Sequence, residues 1–401
     1  MAIDVKKISI YIYEFSFLFL MLQQNIFPSE LTGVTLLISV VAGVCLFSAD
    51  RKVFYNPFLV SYGFFIIYVL ITVSLGYGEG DILTRVLLIV LKFLSSVGIY
   101  NYFMKIDNME SFIKKYIIVS VVSLLVIFFL VGDRAVISRL GHNGSGAIVS
   151  YFIGNVPIYK SSNSTANFCA ISMFFSIYYY IKTKKSYYLL FCIFLFTGVL
   201  LTGSRKGMIT SLIFIFYSVF VYKSGVNLKK LFFLFLVPSV LYIVLFHNEY
   251  IYGVMGVRIE SFVLNLLGDE NSLDGNSFLV RDTIKENAYN WILASPLIGR
   301  GINSFQTEME IGAENNYLQI LLEFGLVGLF LYYSYLPFLI ENLFKEKSEL
   351  MMISTVVVIP ILIQDYGSVT YLWQSMTMWY LFFWAVYERN KLKKRSLTIK
   401  Y

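Results

Sequence analysis

The sequence is short of the residues from which most reactive and cross-linked sites are built. It has two histidines, three cysteines and seven prolines in 401 residues, and only 14% of it is charged. With His142 and His247 alone, and no Cys/His/carboxylate spacing around them, nothing indicates a zinc site. Cys45, Cys169 and Cys192 each fall inside apolar runs, where cysteine acts as a small packing residue, so no disulfide framework is expected. A Gly-rich loop ending in Lys-Ser/Thr is also missing, which argues against ATP-driven work. Gly203-Ser204-Arg205 lacks the strand-Ser-helix elbow of a hydrolase.

What fills the chain instead is hydrocarbon. It is 58% hydrophobic with a mean hydropathy of +0.70, far outside the range of a soluble domain. A helix needs about 20 apolar residues to cross ~30 Å of bilayer. About twelve runs approach that length: 8–27, 31–48, 57–75, 82–104, 116–132, 164–181, 187–203, 207–222, 230–247, 316–340, 350–364 and 370–387. The first lacks the pattern of a cleaved signal peptide and carries Glu14, so it counts as a spanning helix. The expected fold is an all-α polytopic membrane protein, with 1–401 as a single integral membrane domain.

Lys and Arg resist crossing a bilayer, so loops rich in them mark the cytoplasmic side. The basic loops alternate: Lys6–Lys7, Arg51–Lys52, Lys105 with Lys114–Lys115, Lys182 with Lys184–Lys185, Lys223 with Lys229–Lys230, Lys345 with Lys347, and the tail 388–401. Both termini are therefore expected inside, and the loops 133–163 and 248–313 outside. The net charge of +7 then reflects topology and gives no reason to expect nucleic acid.

Against this background the polar exceptions stand out. Lys92 falls near the middle of 82–104, where an unpaired charge costs at least ~2.5 kcal/mol; it either pairs with Glu323, at similar depth, or faces a watery cavity. Thr202-Gly-Ser-Arg-Lys-Gly207 puts Arg205 and Lys206 on the outer side, where basic residues are otherwise scarce, and an arginine fork suits phosphate oxygens. The run Ser161 to Phe168 suits either capping of the following helix or an anion. Segment 248–313 is too long for a mere connection. It is acidic overall, so an anion site there must be built from individually aimed arginines: Arg258, Arg281, Arg300. Ile284, Ala288, Trp291 and Ile292 recur at helical spacing, which predicts an amphipathic surface helix over Asp282 to Leu293, ended by Pro296. Asp269 to Asp274 lacks the spacing of a calcium loop and reads as a solvated turn. Glu314 suits a general base or a first-turn helix cap, and spacing does not choose between them.

The run Arg281…Trp291…Pro296-Leu-Ile-Gly-Arg-Gly-Ile-Asn-Ser-Phe, then Glu314-Asn-Asn-Tyr-Leu-Gln…Glu323-Phe-Gly-Leu-Val-Gly, resembles the O-antigen polymerase and O-antigen ligase superfamily. Thr202-Gly-Ser-Arg and the stretch Asn163 to Asn167 share in that resemblance. It implies a metal-independent glycosyltransferase of the C class in the bacterial inner membrane, with 248–313 as a long catalytic outer loop. The implied substrates are undecaprenyl-diphosphate-linked repeat units, polymerised into O-antigen of lipopolysaccharide, capsule or exopolysaccharide. No cofactor is implied; membrane lipids, a chain-length regulator and a flippase are the implied partners. By position, Arg205 and Arg281 would hold the diphosphate, with Arg258 and Arg300 as further candidates, and Glu314, Asn315, Tyr317 and Trp291 would meet the sugars or their proton. Ligases of this kind carry His where this chain has Glu314, which favours a polymerase. The alternatives are a ligase delivering glycan to a lipid or protein acceptor, and a transporter, although no internal repeat supports the latter.

Overall fold

The computed structural model describes residues 5–26, 31–49, 52–131, 148–153, 156–202, 204–218, 242–243, 246–249, 252, 256–267, 275–309, 312–313, 315–343, 345, 348–365 and 374–398. In chain order they form α1 Val5–Ile26, α2 Thr32–Ala49, α3 Pro57–Ser74, α4 Ile82–Lys105, α5 Met109–Val131, β1 Ile148–Ile153, β2 Val156–Ser161, α6 Ser162–Thr183, α7 Ser186–Thr202 and α8 Arg205–Phe216. The later helices are α9 Val257–Leu266, α10 Gly275–Ala294, α11 Ser304–Met309, α12 Asn316–Tyr333, α13 Leu336–Leu343, α14 Glu349–Asp365 and α15 Gln374–Thr398.

The apolar runs are helical wherever they are described, and the multi-pass helical membrane protein expected from them is what the chain forms. Five stretches among the described residues are long and apolar enough to cross a bilayer: Thr32–Ala49, Pro57–Ser74, Ile82–Lys105, Met109–Phe129 and Asn316–Leu343. Ser186–Thr202 and Glu349–Leu362 are shorter apolar helices. The expected count of twelve is not reached there for concrete reasons. Helix α6 carries serines, threonines, asparagines and tyrosines through its length, and α15 runs on into a basic end. Most of 230–247 lies outside the described residues. Two further expectations change. Within 133–163, part of which is likewise outside the described residues, β1 and β2 form an antiparallel hairpin pairing Ile148 with Ser161 and Ile153 with Val156, a departure from the all-helical expectation. The basic tail is helix as far as Thr398. All three cysteines sit in helices, with Cys169 buried.

The helices start where the sequence supplies caps. Asn56 accepts the Leu59 amide at 2.9 Å with Pro57 in the first helical position, Asp81 accepts Thr84, and Ser204 accepts Gly207. The expected single membrane domain divides into two compact units. One comprises Met1–Leu20, Thr32–Asp107 and Asp282–Tyr401; the other Met21–Leu31 and Asn108–Arg281. In the first, α4 packs against α2, α3 and α15, α14 against α15, and α3 against α12. Arg389, the first basic residue of the expected tail, caps α4 by donating to the carbonyls of Phe103, Ile106 and Asp107. In the second unit α6 packs against α5, α7 and α8. Polar pairs stitch these helices, such as Ser120 with Ser172 and Lys182 with Glu110 at 2.6 Å.

Helix α12 is not a straight crossing, contrary to the expectation of one span over 316–340. An unbroken helix of its length would hold Asn316 and Tyr333 about 25 Å apart, yet the Asn316 amide nitrogen donates to the Tyr333 hydroxyl at 2.6 Å, and the rings of Tyr317 and Tyr333 stack at 4.7 Å. The chain folds back at Gly325, whose φ of 64° and ψ of −168° belong to glycine alone. Asn316 to Phe324 and Leu326 to Tyr333 thus form the two arms of a helical hairpin. Its tip is clasped by the loop 296–301. Leu326 and Val327 donate their amides to Pro296 and Leu297, while Leu322 and Glu323 accept the amides of Arg300 and Gly301, at 2.7–3.2 Å. In an unbroken helix these four groups would pair with one another. The Tyr68 hydroxyl of α3 reaches the Phe324 carbonyl at 3.1 Å.

A β-carbon at Gly325 would stand 2.2 Å from the Leu297 carbonyl oxygen, whereas one at Gly312 meets nothing nearer than 3.7 Å. Gly325→Ala should therefore cost about 2–4 kcal/mol and expose 294–304 to protease, while Gly312→Ala stays near wild type. Unfolding in detergent and limited proteolysis check both.

Candidate functional site

The segment after α10 is built around the hairpin tip. Helix α10 ends at Ala294, and Ser295 turns the chain by bonding from its hydroxyl to the Gly299 carbonyl at 2.8 Å. Gly299 takes φ +75°, and a β-carbon there would strike the Glu323 carbonyl at 2.5 Å, so the loop lies directly against α12. Ile302 forms a parallel bridge with Gly78, Glu79 donates its amide to the Ile302 carbonyl, and the Asn303 amide side chain reaches Glu79 and Thr307. Residues 76–81 thereby join this end of the unit, and so does Arg85, which donates to Gln306 at 2.9 Å.

Two side chains of the first α12 arm tie the segments on either side of it. The Glu323 carboxylate, buried to 1%, accepts the Asn303 amide at 3.0 Å and the Gln319 side chain at 2.7 Å. Gln319 in turn accepts the Ala313 amide at 2.8 Å. The residue before Glu314 is thus fixed in place, although Glu314 itself lies outside the described residues. Lys92 is buried over the Tyr62 ring, and the charge of Asp365 of α14 acts on it. Asp365 also accepts the Tyr333 hydroxyl at 3.0 Å.

The expected site residues fare differently. Arg300 is presented by the clasp loop with its guanidinium 4.1 Å from the centre of the Trp291 ring and 3.8 Å from Glu308. Trp291 is 7% exposed, with one face under Arg300 and Phe305 edge-on at 5.3 Å. Its surface is therefore spent on protein, and a sugar-stacking role does not fit. The whole apolar stripe of α10 is used in this way: Ile284, Ala288 and Trp291 pack with Phe305, Ala313 and Leu322, so the stripe faces protein and not lipid. Asn315 caps α12 by accepting the Leu318 amide at 3.1 Å. Tyr317 stacks on Tyr333 and bonds to the Leu362 carbonyl at 3.1 Å, so both residues act first as struts of the hairpin.

In the second unit Arg205 is the first residue of α8, directly after the Ser204 cap, and is half-buried. Ser204 also donates to Asn163 at 2.6 Å, which brings the start of α6 and the start of α8 together. Arg281 lies in α10 and Arg258 in α9; their side chains are outside what is described. Sequence reasoning missed residues 76–81, Gln319, Glu308 and Asp365. The alternating glycines at 76, 78 and 80 were the available signal for the first.

Residues 190–333 match the family model described as O-antigen ligase, a stretch that runs through α8, α10 and the clasp loop to the end of the hairpin. No curated protein and no solved structure matches the chain.

Removing the Glu323 carboxylate would strand the Asn303 amide and the Gln319 side chain, at about 1–3 kcal/mol for each donor left unmatched. Glu323→Leu should therefore lower the melting temperature and abolish activity together. Glu323→Gln, which keeps an acceptor oxygen, should retain most of both; equal effects of the two would contradict the assigned bonds.

Proposed function

We propose, from the premise that the chain belongs to the O-antigen ligase/polymerase superfamily, that it is a metal-independent polymerase of undecaprenyl-diphosphate-linked oligosaccharide repeat units. It works on the outer face of the bacterial inner membrane with both termini in the cytoplasm, and it builds O-antigen, capsular or exopolysaccharide chains. What carries the reading is the family match over 190–333 taken with Glu314, which stands where ligases of the superfamily carry His.

The chemistry asked of the protein is modest because the donor is already activated. The bond between the anomeric carbon and its phosphate oxygen breaks, a bond from that carbon to an acceptor hydroxyl oxygen forms, and the lipid diphosphate leaves with the electron pair. The acceptor proton goes to Glu314 and then to water. Arginines stabilise the departing charge, in which electrostatic stabilisation and positioning supply most of the rate. Arg205, at the start of α8 where the helix dipole is positive, suits that task, and so does Arg281 on α10. Arg258 and Arg300 are the further phosphate contacts of the proposal. A ligase reading differs in acceptor alone.

Arg205→Ala and Arg281→Ala should each abolish the product ladder made from a synthetic lipid-diphosphate repeat unit by purified protein, without lowering protein level. Near-normal chain length in either variant removes that residue from the diphosphate site. Glu314→Gln should slow transfer by about 10²–10⁴-fold if Glu314 is the base, and an almost fully active variant assigns it to helix capping. Cells lacking the protein should accumulate single repeat units; long lipid-linked polymer in such cells would establish the ligase reading.

A further inference from the structure

Arg300 is held firmly in every respect but one. Its amide is bonded to the Leu322 carbonyl at 3.1 Å and Gly301, next to it, to Glu323 at 2.7 Å, so the backbone is fixed to the hairpin tip. Its guanidinium lies on the Trp291 ring at 4.1 Å, and that ring is itself fixed by Phe305. Stacking of this kind occupies the face of the guanidinium and leaves the N–H groups in its plane for anions. The one loose contact is the carboxylate of Glu308, 3.8 Å away, with side-chain exposures of 39% for Arg300 and 54% for Glu308. That distance is beyond a hydrogen bond, and exposed pairs of this kind contribute little.

We propose that Glu308 is an exchangeable counter-ion for Arg300: it occupies the arginine's anion position while the donor site is empty and is displaced by the diphosphate of the lipid-linked donor, with Trp291 as the fixed platform. A diphosphate carries more charge than one carboxylate and offers two adjacent oxygens to a planar fork, so it outcompetes a distant monodentate partner. The acidic character of 248–313 acquires a use on this account. Glu308 lowers the affinity of Arg300 for stray anions, and the departing lipid diphosphate is released as the carboxylate returns. The inference rests on the polymerase reading for the identity of its anion, and Glu308 is here a positioning residue that sets affinity.

The test is a double-mutant cycle on the full chain in phosphatidylcholine nanodiscs, where no anionic headgroup competes. Inorganic pyrophosphate is the probe, read by calorimetry, with orthophosphate as the single-phosphate comparison. Glu308→Gln should tighten pyrophosphate binding about two- to fivefold, the range of a lost exposed pair, with a smaller change for orthophosphate. Arg300→Ala should weaken binding at least about tenfold, and in that background Glu308→Gln should have no effect. Arg300→Lys keeps the charge but not the fork, and should fall between wild type and Arg300→Ala without loss of fold. In chain-growth assays Glu308→Gln should lower the donor KM and also lower kcat, since product leaves more slowly. An unchanged affinity in Glu308→Gln, or an effect that persists without Arg300, overturns the proposal. If the cycle behaves as stated but wild-type protein makes no polymer, the polymerase reading fails and the counter-ion exchange stands; a product ladder without coupling gives the reverse.

Discussion

The fold of the first unit depends on a place where a helix cannot continue. At Gly325 the chain reverses, and a reversal inside an apolar bundle frees backbone groups that water is not there to satisfy. Each such group left unmatched in hydrocarbon costs several kcal/mol. The loop 296–301 meets this demand by extending its own amides and carbonyls along Leu322, Glu323, Leu326 and Val327, so both partners satisfy each other. Each supplies what the other lacks: the large apolar side chains of the loop, Leu297 and Ile298, are exposed, and the groups at the hairpin tip that a continuous helix would pair with one another are paired with the loop. This mutual requirement explains why two separated sequence stretches, Pro-Leu-Ile-Gly-Arg-Gly and Glu-Phe-Gly-Leu-Val-Gly, belong to one structural object.

From that constraint the arrangement of this end of the unit can be built up in order. With the loop fixed, Arg300 has a fixed backbone, and Trp291 at the end of α10 is brought beneath its guanidinium. With the first arm fixed, Gln319 and Glu323 reach backward to Ala313 and Asn303, so these two residues are anchored to α12. An acidic segment cannot attract a phosphate by its bulk field. It can place single guanidinium groups accurately, and it does so by borrowing rigidity from a broken membrane helix.

How much of this is legible in the sequence depends on the reach of the signal. Helices announce themselves through apolar runs, and the amphipathic spacing of Ile284, Ala288 and Trp291 finds the later part of α10 and its end before Pro296, because periodicity is a local property; the first turns from Gly275 carry no such stripe and lie outside the predicted span. The same spacing does not say what the stripe will face, and lipid is the wrong answer because Phe305 and Leu322 cover it. Trp291 looks like a sugar platform for the same reason: exposure is set by partners distant in sequence. The fold-back at Gly325 leaves no mark in hydropathy, since both arms are apolar; the glycine alone hints at it, and apolar membrane helices tolerate many glycines. Depth matching picks Glu323 for Lys92, yet depth ignores azimuth, and the charge of Asp365, on another helix, acts on that lysine as well. Arg389 reads as topology and turns out to cap α4.

A helix folded back on itself has a further cost, which the buried polar groups of α12 and α14 address. Each arm is about nine residues, too short to be stable on propagation alone, so each needs lateral ties. The first arm has Asn315 at its cap, Tyr317 on the Leu362 carbonyl, and Asn316 on Tyr333. The second has Ser61 of α3 against the Leu331 carbonyl, and Tyr333 on Asp365. Asp365 is thus the common end of a chain of bonds that closes the hairpin's open side, as the loop closes its tip. A carboxylate buried to 2% would be a poor anchor unless its charge were offset. The charge of Asp365 acts on Lys92, which lies over Tyr62, and Tyr62 packs edge to face with Tyr332 in the same region. One end of the hairpin is therefore held by backbone bonds to the loop, and the other by the side-chain bonds that run from Asn316 through Tyr333 to Asp365.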